Sequence, residues 1–305
     1  MERSITVRAF GIPSNKEMGA MLHGYNDARN FLYSIGAFNG DGQNFKNADN
    51  NFDLMMRGWV APASFLGDGP LHDATIGGSF WTGNRSNTLA LANQSTQGGF
   101  TFLSFSQFNS TINGMMNTPV QFRQVGRMYG GAGELNVPVD HKFGGRYEIV
   151  YKKDPLSADQ IAANGSGTIL GGAELKGYSM YGELWFWVFG DDRIIGDQQG
   201  IQPYTRFKKF GVKPPQRGLM IATRFEYLNE KLDLDPDLVA LMLPSSAIGK
   251  TTVTSWELGA NYWVSKRFRA TFNYVLNHFG GDTTFIKGLK SNNEQEFLFR
   301  LGIAL

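Results

Sequence analysis

Apolar and polar side chains alternate with a period of two through most of the last fifty-one residues of this chain. Apolar or aromatic side chains take most of every second position there, and polar or small side chains take most of the positions between. Three segments show the pattern, at residues 255–263, 267–277 and 296–305. Because successive side chains of a β-strand point to opposite faces, the pattern predicts strands with one apolar face and one wet face.

The length of these strands fits a membrane. Segments of about ten residues with an aromatic residue at one or both ends are what a tilted strand needs to cross a hydrocarbon core of roughly 25 to 30 Å. The same alternation also fits a soluble sandwich or a lipocalin-like barrel, in which the apolar face lies inside. The two alternatives differ in whether the apolar face meets lipid or a closed core.

Composition narrows the fold class. Mean hydropathy is −0.26 and no apolar run reaches eighteen residues, which argues against a helical membrane protein. Polar lumen residues dilute the apolar ones in a membrane barrel, so a hydrophobic content of 42% is compatible with one. We therefore expect an all-β protein, a transmembrane antiparallel β-barrel of about 12 to 16 strands, closed or incomplete. No linker rich in Pro and Ser divides the chain, so residues 1–305 are predicted to form one barrel domain.

The strand pattern extends over the whole chain, and helical periodicity is nearly absent. The best helical window, at residues 155–164, is short and lies in an expected connection. Short connections at 26–30 and 264–266 occur together with long polar ones, as is typical of outer-membrane barrels. We expect about thirteen strands. Their predicted ranges are 17–25, 31–39, 52–60, 74–82, 100–108, 120–128, 131–139, 143–152, 178–188, 219–228, 255–263, 267–277 and 296–305.

The chain offers little for covalent chemistry or metal binding. It has no cysteine, and its histidines at positions 23, 72, 141 and 278 are isolated from one another. No catalytic residue, metal site or cofactor is therefore predicted. The formal net charge of +2 is too small to imply a nucleic-acid partner.

Several ordered segments carry a family resemblance. They are MERS at residues 1–4, EMGAMLHG at 17–24, SIGAFNGDG at 34–42, DLMMRGWVAP at 53–62, and the hairpin of WELGANYW at 256–263 with FNYV at 272–275. In order and spacing they resemble the phosphate-selective porin O and P family of outer-membrane proteins. The match covers most of the chain and is patchy between residues 84 and 177.

The resemblance implies a porin in the outer membrane of a Gram-negative bacterium. In that family the segment like MERS lies well inside the protein, after a signal peptide and several strands, so we expect this chain to lack its N-terminal part. A full family member is expected to have about sixteen strands and to form a trimer. The expected partners are outer-membrane lipid, small anionic or polar solutes, and two further copies of the chain.

The wet faces of the predicted strands carry candidate pore-lining cations. These are Arg57, Arg146, Lys152, Arg224, Arg267, Arg269 and Arg300. The same faces carry Glu148, Glu183, Glu226 and Glu257. Each cation therefore either lines a path for anions or pairs with a carboxylate on a neighbouring strand.

A basic segment without acidic residues spans residues 198–217. Its cations are Arg206, Lys208, Lys209, Lys213 and Arg217, interleaved with three aromatic residues. At a pore mouth such a segment raises the local concentration of phosphate-like anions. The alternative is a solvated loop that touches anionic lipid head groups or a neighbouring protomer.

Together these patterns favour a passive outer-membrane diffusion channel that mildly prefers anions and has no enzymatic activity. An outer-membrane barrel enzyme or adhesin, or a soluble β-structure binding protein, is the alternative. Burial separates the soluble alternative from the others. If Phe272, Tyr274, Phe299 and Leu301 face a closed core, the membrane hypothesis fails.

Overall fold

A computed structural model describes most of the chain, and fourteen strands lie in the described ranges. These ranges are residues 4, 17–28, 30–40, 50–91, 93–103, 105, 108–112, 115–139, 141–161, 167–191, 194, 217–241, 249–265, 267–282 and 291–303. The strands are β1 Gly19–Tyr25, β2 Phe31–Phe38, β3 Asp53–Val60, β4 Thr75–Ala90, β5 Gln94–Ser95, β6 Thr101–Leu103, β7 Phe108–Ile112, β8 Met115–Val139, β9 Phe143–Ile161, β10 Gly167–Phe189, β11 Gly218–Leu234, β12 Gly249–Ser265, β13 Phe268–Gly281 and β14 Asn293–Ile303.

One antiparallel sheet contains almost all of these strands. Its order is β1-β2-β3-β4-β8-β9-β10-β11-β12-β13-β14, and the short β7 pairs with the start of β8. β5 and β6 form a separate two-stranded hairpin. Within the described residues no pairing joins β1 to β14. The all-β antiparallel class predicted from the sequence is confirmed.

Each long strand keeps two distinct faces. In β11, Arg224, Glu226 and Glu230 are buried, whereas Ile221 and Phe225 are 43% and 50% exposed. The usual arrangement of a soluble protein is therefore reversed, since charged groups are enclosed and large apolar ones are accessible. We call the face with the buried polar residues the inner face and the opposite one the outer face.

Apolar side chains cover the outer face over a band of limited height. Along β11 the band runs from Leu219 to Tyr227, and polar outward residues follow from Asn229 onward. Along β10 it runs from Tyr178 to Val188. Nine to eleven residues at about 3.3 Å each, tilted by roughly 40°, span a height of about 20 to 25 Å, which is close to the apolar band of membrane barrels.

The two ends of the strands are connected differently. At one end, which we call the turn end, short connections join β1 to β2, β8 to β9 and β12 to β13, and longer ones join β3 to β4 and β10 to β11. At the other end, which we call the loop end, β8 to β12 project well past the apolar band. Long connections at residues 39–52, 91–107, 235–248 and 282–292 join the strands at the loop end.

Part of one loop-end connection lies against the inner face. The described residues 91, 93–103 and 105, which we call the inner segment, contain β5 and β6. Gln94 Nε2 donates to Glu230 Oε2 at 3.0 Å, and the ring of Phe102 stacks on Phe279 with centroids 5.9 Å apart. A buried apolar cluster surrounds Phe102. It includes Phe105, Val120, Phe122, Leu156, Leu175, Leu228, Leu232 and Val253.

The strand predictions need three corrections. Residues 120–128 and 131–139 are one strand, β8, in which a bulge between Gln124 and Tyr129 replaces the expected break. The strand predicted at 100–108 is instead divided between the inner segment and β7. The helical window at 155–164 is wrong for residues 155–161, which continue β9 and pair with β10. Pairing between long neighbouring strands overrides the weak local preference there.

Two short helices complete the described structure. A 3-10 helix spans Pro62–Leu66, and helix α1 spans Pro236–Leu241 after β11. Leu238 of α1 is fully buried in the cluster around Phe102. No helix of the described ranges has both the length and the apolar character that a membrane crossing requires.

Candidate pore lining

A row of charged side chains with alternating sign crosses four neighbouring strands on the inner face. Arg146 on β9, Glu183 on β10, Arg224 on β11 and Glu257 on β12 lie directly opposite one another in register. Glu183 bridges the two arginines, with Oε1 lying 3.7 Å from Arg146 Nη2 and Oε2 lying 3.5 Å from Arg224 Nη1. Because opposite charges face each other across the sheet, this inner charge row largely neutralises itself.

Arg224 is the most enclosed member of the inner charge row. Its Nε lies 2.6 Å from Glu226 Oε1, and its Nη2 donates to Glu257 Oε2. Glu183 is the third carboxylate in contact. The residue is only 4% exposed, and its guanidinium also lies 5.9 Å from the ring centroid of Tyr181. Counted with Arg146, which shares Glu183, the two arginines and three carboxylates carry a formal charge of −1.

Arg57 reaches a carboxylate two strands away. Its Nε and Nη2 donate to Glu134 Oε1 and Oε2 at 2.9 and 2.7 Å, so the pair is bidentate. The bond passes over β4 at Gly77, where a Cβ atom would lie 2.9 Å from Glu134 Oε1. Glycine at this position therefore leaves the room that the pair needs. Arg57, Arg146 and Arg224 thus follow the alternative of cross-strand pairing with carboxylates.

The other predicted lining residues lie in different settings. Lys152 is buried on the inner face, with Nζ 3.2 Å from Asp154 Oδ2. Arg269 packs over the ring of Trp263 at 5.6 Å, and Arg300 lies at an inward position of the last strand. Arg267 does not lie in a strand, because β12 continues to Ser265 and places Arg267 in the exposed turn before β13.

Most of the predicted anion-attracting segment lies outside the described residues. This applies to Arg206, Lys208, Lys209 and Lys213. Arg217 is described, and it lies exposed just before β11. Of the strands that flank the segment, β10 ends at the turn end and β11 begins there.

Sequence reasoning missed a second ionic site on the inner face. Arg85 on β4 donates to both oxygens of Asp53 on β3, at 2.5 and 2.6 Å, and both side chains are almost fully buried. Gly40 and Gly83 leave room for this pair, because a Cβ atom at either position would collide with Asp53. Nothing in the local sequence pattern links residues 32 positions apart.

Tyrosines mark the loop-end border of the outer apolar band. Tyr129, Tyr151, Tyr178 and Tyr227 occupy four neighbouring strands, β8 to β11. Tyr151 lies directly opposite Tyr178, and ring centroids are 6.4 Å apart for Tyr129 and Tyr151 and 6.0 Å apart for Tyr178 and Tyr227. Tyrosine prefers the depth where hydrocarbon meets head groups, so this tyrosine girdle is typical of a membrane border.

The four residues that separate a membrane protein from a soluble one point outward. Phe272, Phe299 and Leu301 are 47%, 69% and 56% exposed. Tyr274 is half-buried because its ring packs beside Phe297, with centroids 5.0 Å apart, on the same outer face. None of the four lies in a closed core. Within the described residues, no three potential metal ligands lie together.

No family model matches the chain, and no curated protein matches it. Membership of the phosphate-selective porin O and P family therefore stays a prediction.

Solved structures similar to the chain include outer-membrane proteins. The first is described as outer-membrane expressed OmpT of Vibrio cholerae, at 9% identity and a TM-score of 0.39 over 93% of this chain and 63% of that one. The NanC porin matches at 10% identity and a TM-score of 0.31, over 93% of this chain and 91% of that one. The ferric yersiniabactin uptake receptor FyuA of Yersinia pestis matches at 12% identity and a TM-score of 0.38, over 92% and 39%. The chain thus spans less than two thirds of two of these proteins, and at such TM-scores the functional assignment rests on the geometry of this chain alone.

Proposed function

We propose that the protein is an outer-membrane β-barrel channel through which small hydrophilic solutes diffuse passively. The observation that carries this proposal is the reversal of the two faces. Large apolar side chains such as Leu184, at 64% exposure, cover the outer face, whereas Arg224 and Glu257 are enclosed on the inner one. A soluble monomer exposes contiguous apolar patches of only about 300 to 600 Å², far less than a band around eleven strands.

The inner face supports a channel rather than an enzyme. Several of its charged groups pair with one another across strands, as Arg57 does with Glu134 and Arg146 with Glu183. Such pairs present polar side chains to an aqueous passage and hold them at fixed positions. A catalytic role would need a nucleophile or base free to meet a substrate. We therefore propose no catalytic activity.

The preference for anions that the sequence predicts depends on the basic segment in this proposal. The cations of the inner charge row are balanced by carboxylates, so they supply little net attraction for an anion. Arg206, Lys208, Lys209 and Lys213 have no acidic residue within their segment. Their charge therefore sets the sign of the selectivity.

The test is conductance across a planar lipid bilayer. Refolded protein should give discrete, ohmic current steps, because no energy source is needed. In a salt gradient the reversal potential should indicate a mild preference for anions, which neutralisation by R206Q/K208Q/K209Q/K213Q should remove. Folded, inserted protein without current steps would contradict the channel, and cation preference of the unmodified protein would contradict only the selectivity.

We further propose the homotrimer that the family resemblance implies. Native mass spectrometry in detergent should then show three times the 33.8 kDa of one chain. A monomer as the dominant species of conducting protein would reject the trimer and leave the channel intact.

A further inference from the structure

Four lysines lie in one row across the outer face. Lys153 on β9, Lys176 on β10, Lys231 on β11 and Lys250 on β12 are directly opposite one another in register. With neighbouring strands about 4.8 Å apart, the row extends over roughly 14 Å. Like charges directly opposite each other destabilise a sheet, so a row of one sign is costly unless anions compensate it. The inner charge row on the same four strands shows the opposite design, since its signs alternate.

The protein supplies only part of the compensation for this lysine row. Glu174 lies 2.5 Å from Lys153 Nζ and 2.9 Å from Lys176 Nζ, and Asp233 lies 3.2 Å from Lys176 Nζ and 2.5 Å from Lys231 Nζ. Lys250 lies beside Asp282, whose backbone N–H donates to Lys250 O at 2.8 Å. The four lysines therefore exceed these three carboxylates by one positive charge. Hydrogen bonds to Glu174 raise the pKa of Lys153 and of Lys176, so both ammonium groups stay charged at neutral pH.

The row lies where the head groups of a membrane would be. Lys153 is two residues beyond Tyr151 and Lys176 is two residues beyond Tyr178, on the side away from the apolar band. Two residues of a tilted strand rise by about 5 Å, which takes the ammonium groups just past the tyrosine girdle. The side chains of Lys176 and Lys231 are 43% and 55% exposed. They are therefore accessible to a ligand from the lipid side.

We propose that the lysine row binds the phosphate groups of anionic lipids in the outer leaflet. The loop end, where the row lies, is the outer one in barrels with short periplasmic turns. Several ammonium groups on one line suit a head group that carries more than one phosphate, and each cation near such a surface adds to the affinity. This inference rests on the proposed membrane location. It does not depend on conduction or on the basic segment.

Binding of lipid A to the full chain in detergent, counted by native mass spectrometry, tests the proposal. The double variant K176Q/K231Q should bind lipid A about thirtyfold more weakly, given the usual effect of two lysines at an anionic surface. K176R/K231R keeps the charge and should bind nearly as the unmodified protein does. The matched control K142Q/R267Q removes two exposed cations at the turn end and should leave binding unchanged.

Two further binding measurements identify the ligand. Lipid A without its phosphates should bind each form of the protein equally and weakly. Inorganic phosphate at millimolar concentration should not displace lipid A, and complete displacement would show a site for free phosphate instead. The proposal is overturned if the affinity of K176Q/K231Q for lipid A is within about threefold of that of the unmodified protein, or if the control K142Q/R267Q loses as much affinity as K176Q/K231Q does. Current steps from K176Q/K231Q and from K176R/K231R in a bilayer separate this failure from failure of the channel.

Discussion

Placing an arginine in the middle of the outer apolar band tests the orientation of the whole sheet. Leu184 is the best site, because it is 64% exposed on the outer face of β10 and lies within the band. It is six residues from Tyr178 and four from Val188. At about 3.3 Å per residue and a tilt of roughly 40°, these separations put Leu184 about 15 Å below the tyrosine girdle and about 10 Å above the opposite border.

The expected cost of Leu184→Arg follows from this depth. An arginine facing lipid near the midplane of a barrel costs about 2 to 4 kcal/mol, whereas near the interface the cost falls to about 0 to 1 kcal/mol. Asn229→Arg is the matched control. Asn229 lies directly opposite Tyr178 on the same face, at the border of the band. In water, both substitutions would replace accessible side chains and stay within about 0.5 kcal/mol of neutral.

Reversible folding into phospholipid vesicles measures the difference. Urea titrations followed by tryptophan fluorescence should give a free energy of unfolding for Leu184→Arg about 2 kcal/mol or more below that of Asn229→Arg. If the two variants are equally stable to within about 0.5 kcal/mol, the outer face does not meet hydrocarbon and the membrane assignment is refuted.

Four further substitutions test the inner face. Arg224→Met should destabilise the folded protein by about 3 to 5 kcal/mol, because three carboxylates lose their common cation. The reversal potential should also move towards cation selectivity. An unchanged reversal potential would show that Arg224 lies away from the ion path. Asp53→Asn should lower the free energy of unfolding in urea titrations by about 3 to 5 kcal/mol, because Arg85 stays buried without its charged partner. Arg57→Gln breaks a more exposed pair and should lower it by about 1 kcal/mol or less. Equal losses would contradict the difference in burial. Phe102→Ala should cost about 3 to 5 kcal/mol and enlarge the single-channel conductance, and a conductance that stays the same would place the inner segment outside the route of the solute.

The sequence predicts the fold class well because strand phase is a local property. A residue two positions along a strand shares its face, so the outward direction of Phe272 and Leu301 follows from alternation alone. The inward direction of Arg57, Arg146 and Arg224 follows in the same way. Where a bulge interrupts the pairing, as between Gln124 and Tyr129 in β8, local pattern does not indicate that the strand continues.

Pairing between side chains could not be predicted, because it depends on register between distant strands. Glu134 is 77 residues from Arg57, and their contact also requires a glycine on the strand between them. The lysine row has the same origin, since residues from 153 to 250 come into line only when four strands are aligned. The inner segment was missed for a related reason. Its phenylalanines are as apolar as those of an outer strand, and only the fold shows that they turn inward.

The position of the inner segment has a consequence for how solutes enter. Phe102 and Phe279 stand at the loop end, ahead of the inner charge row around Arg224. Both rings are almost fully buried, so the inner segment packs tightly against the sheet and takes up room inside the loop end. A solute that enters from that side would then be selected by its size before it reaches the charges around Arg224.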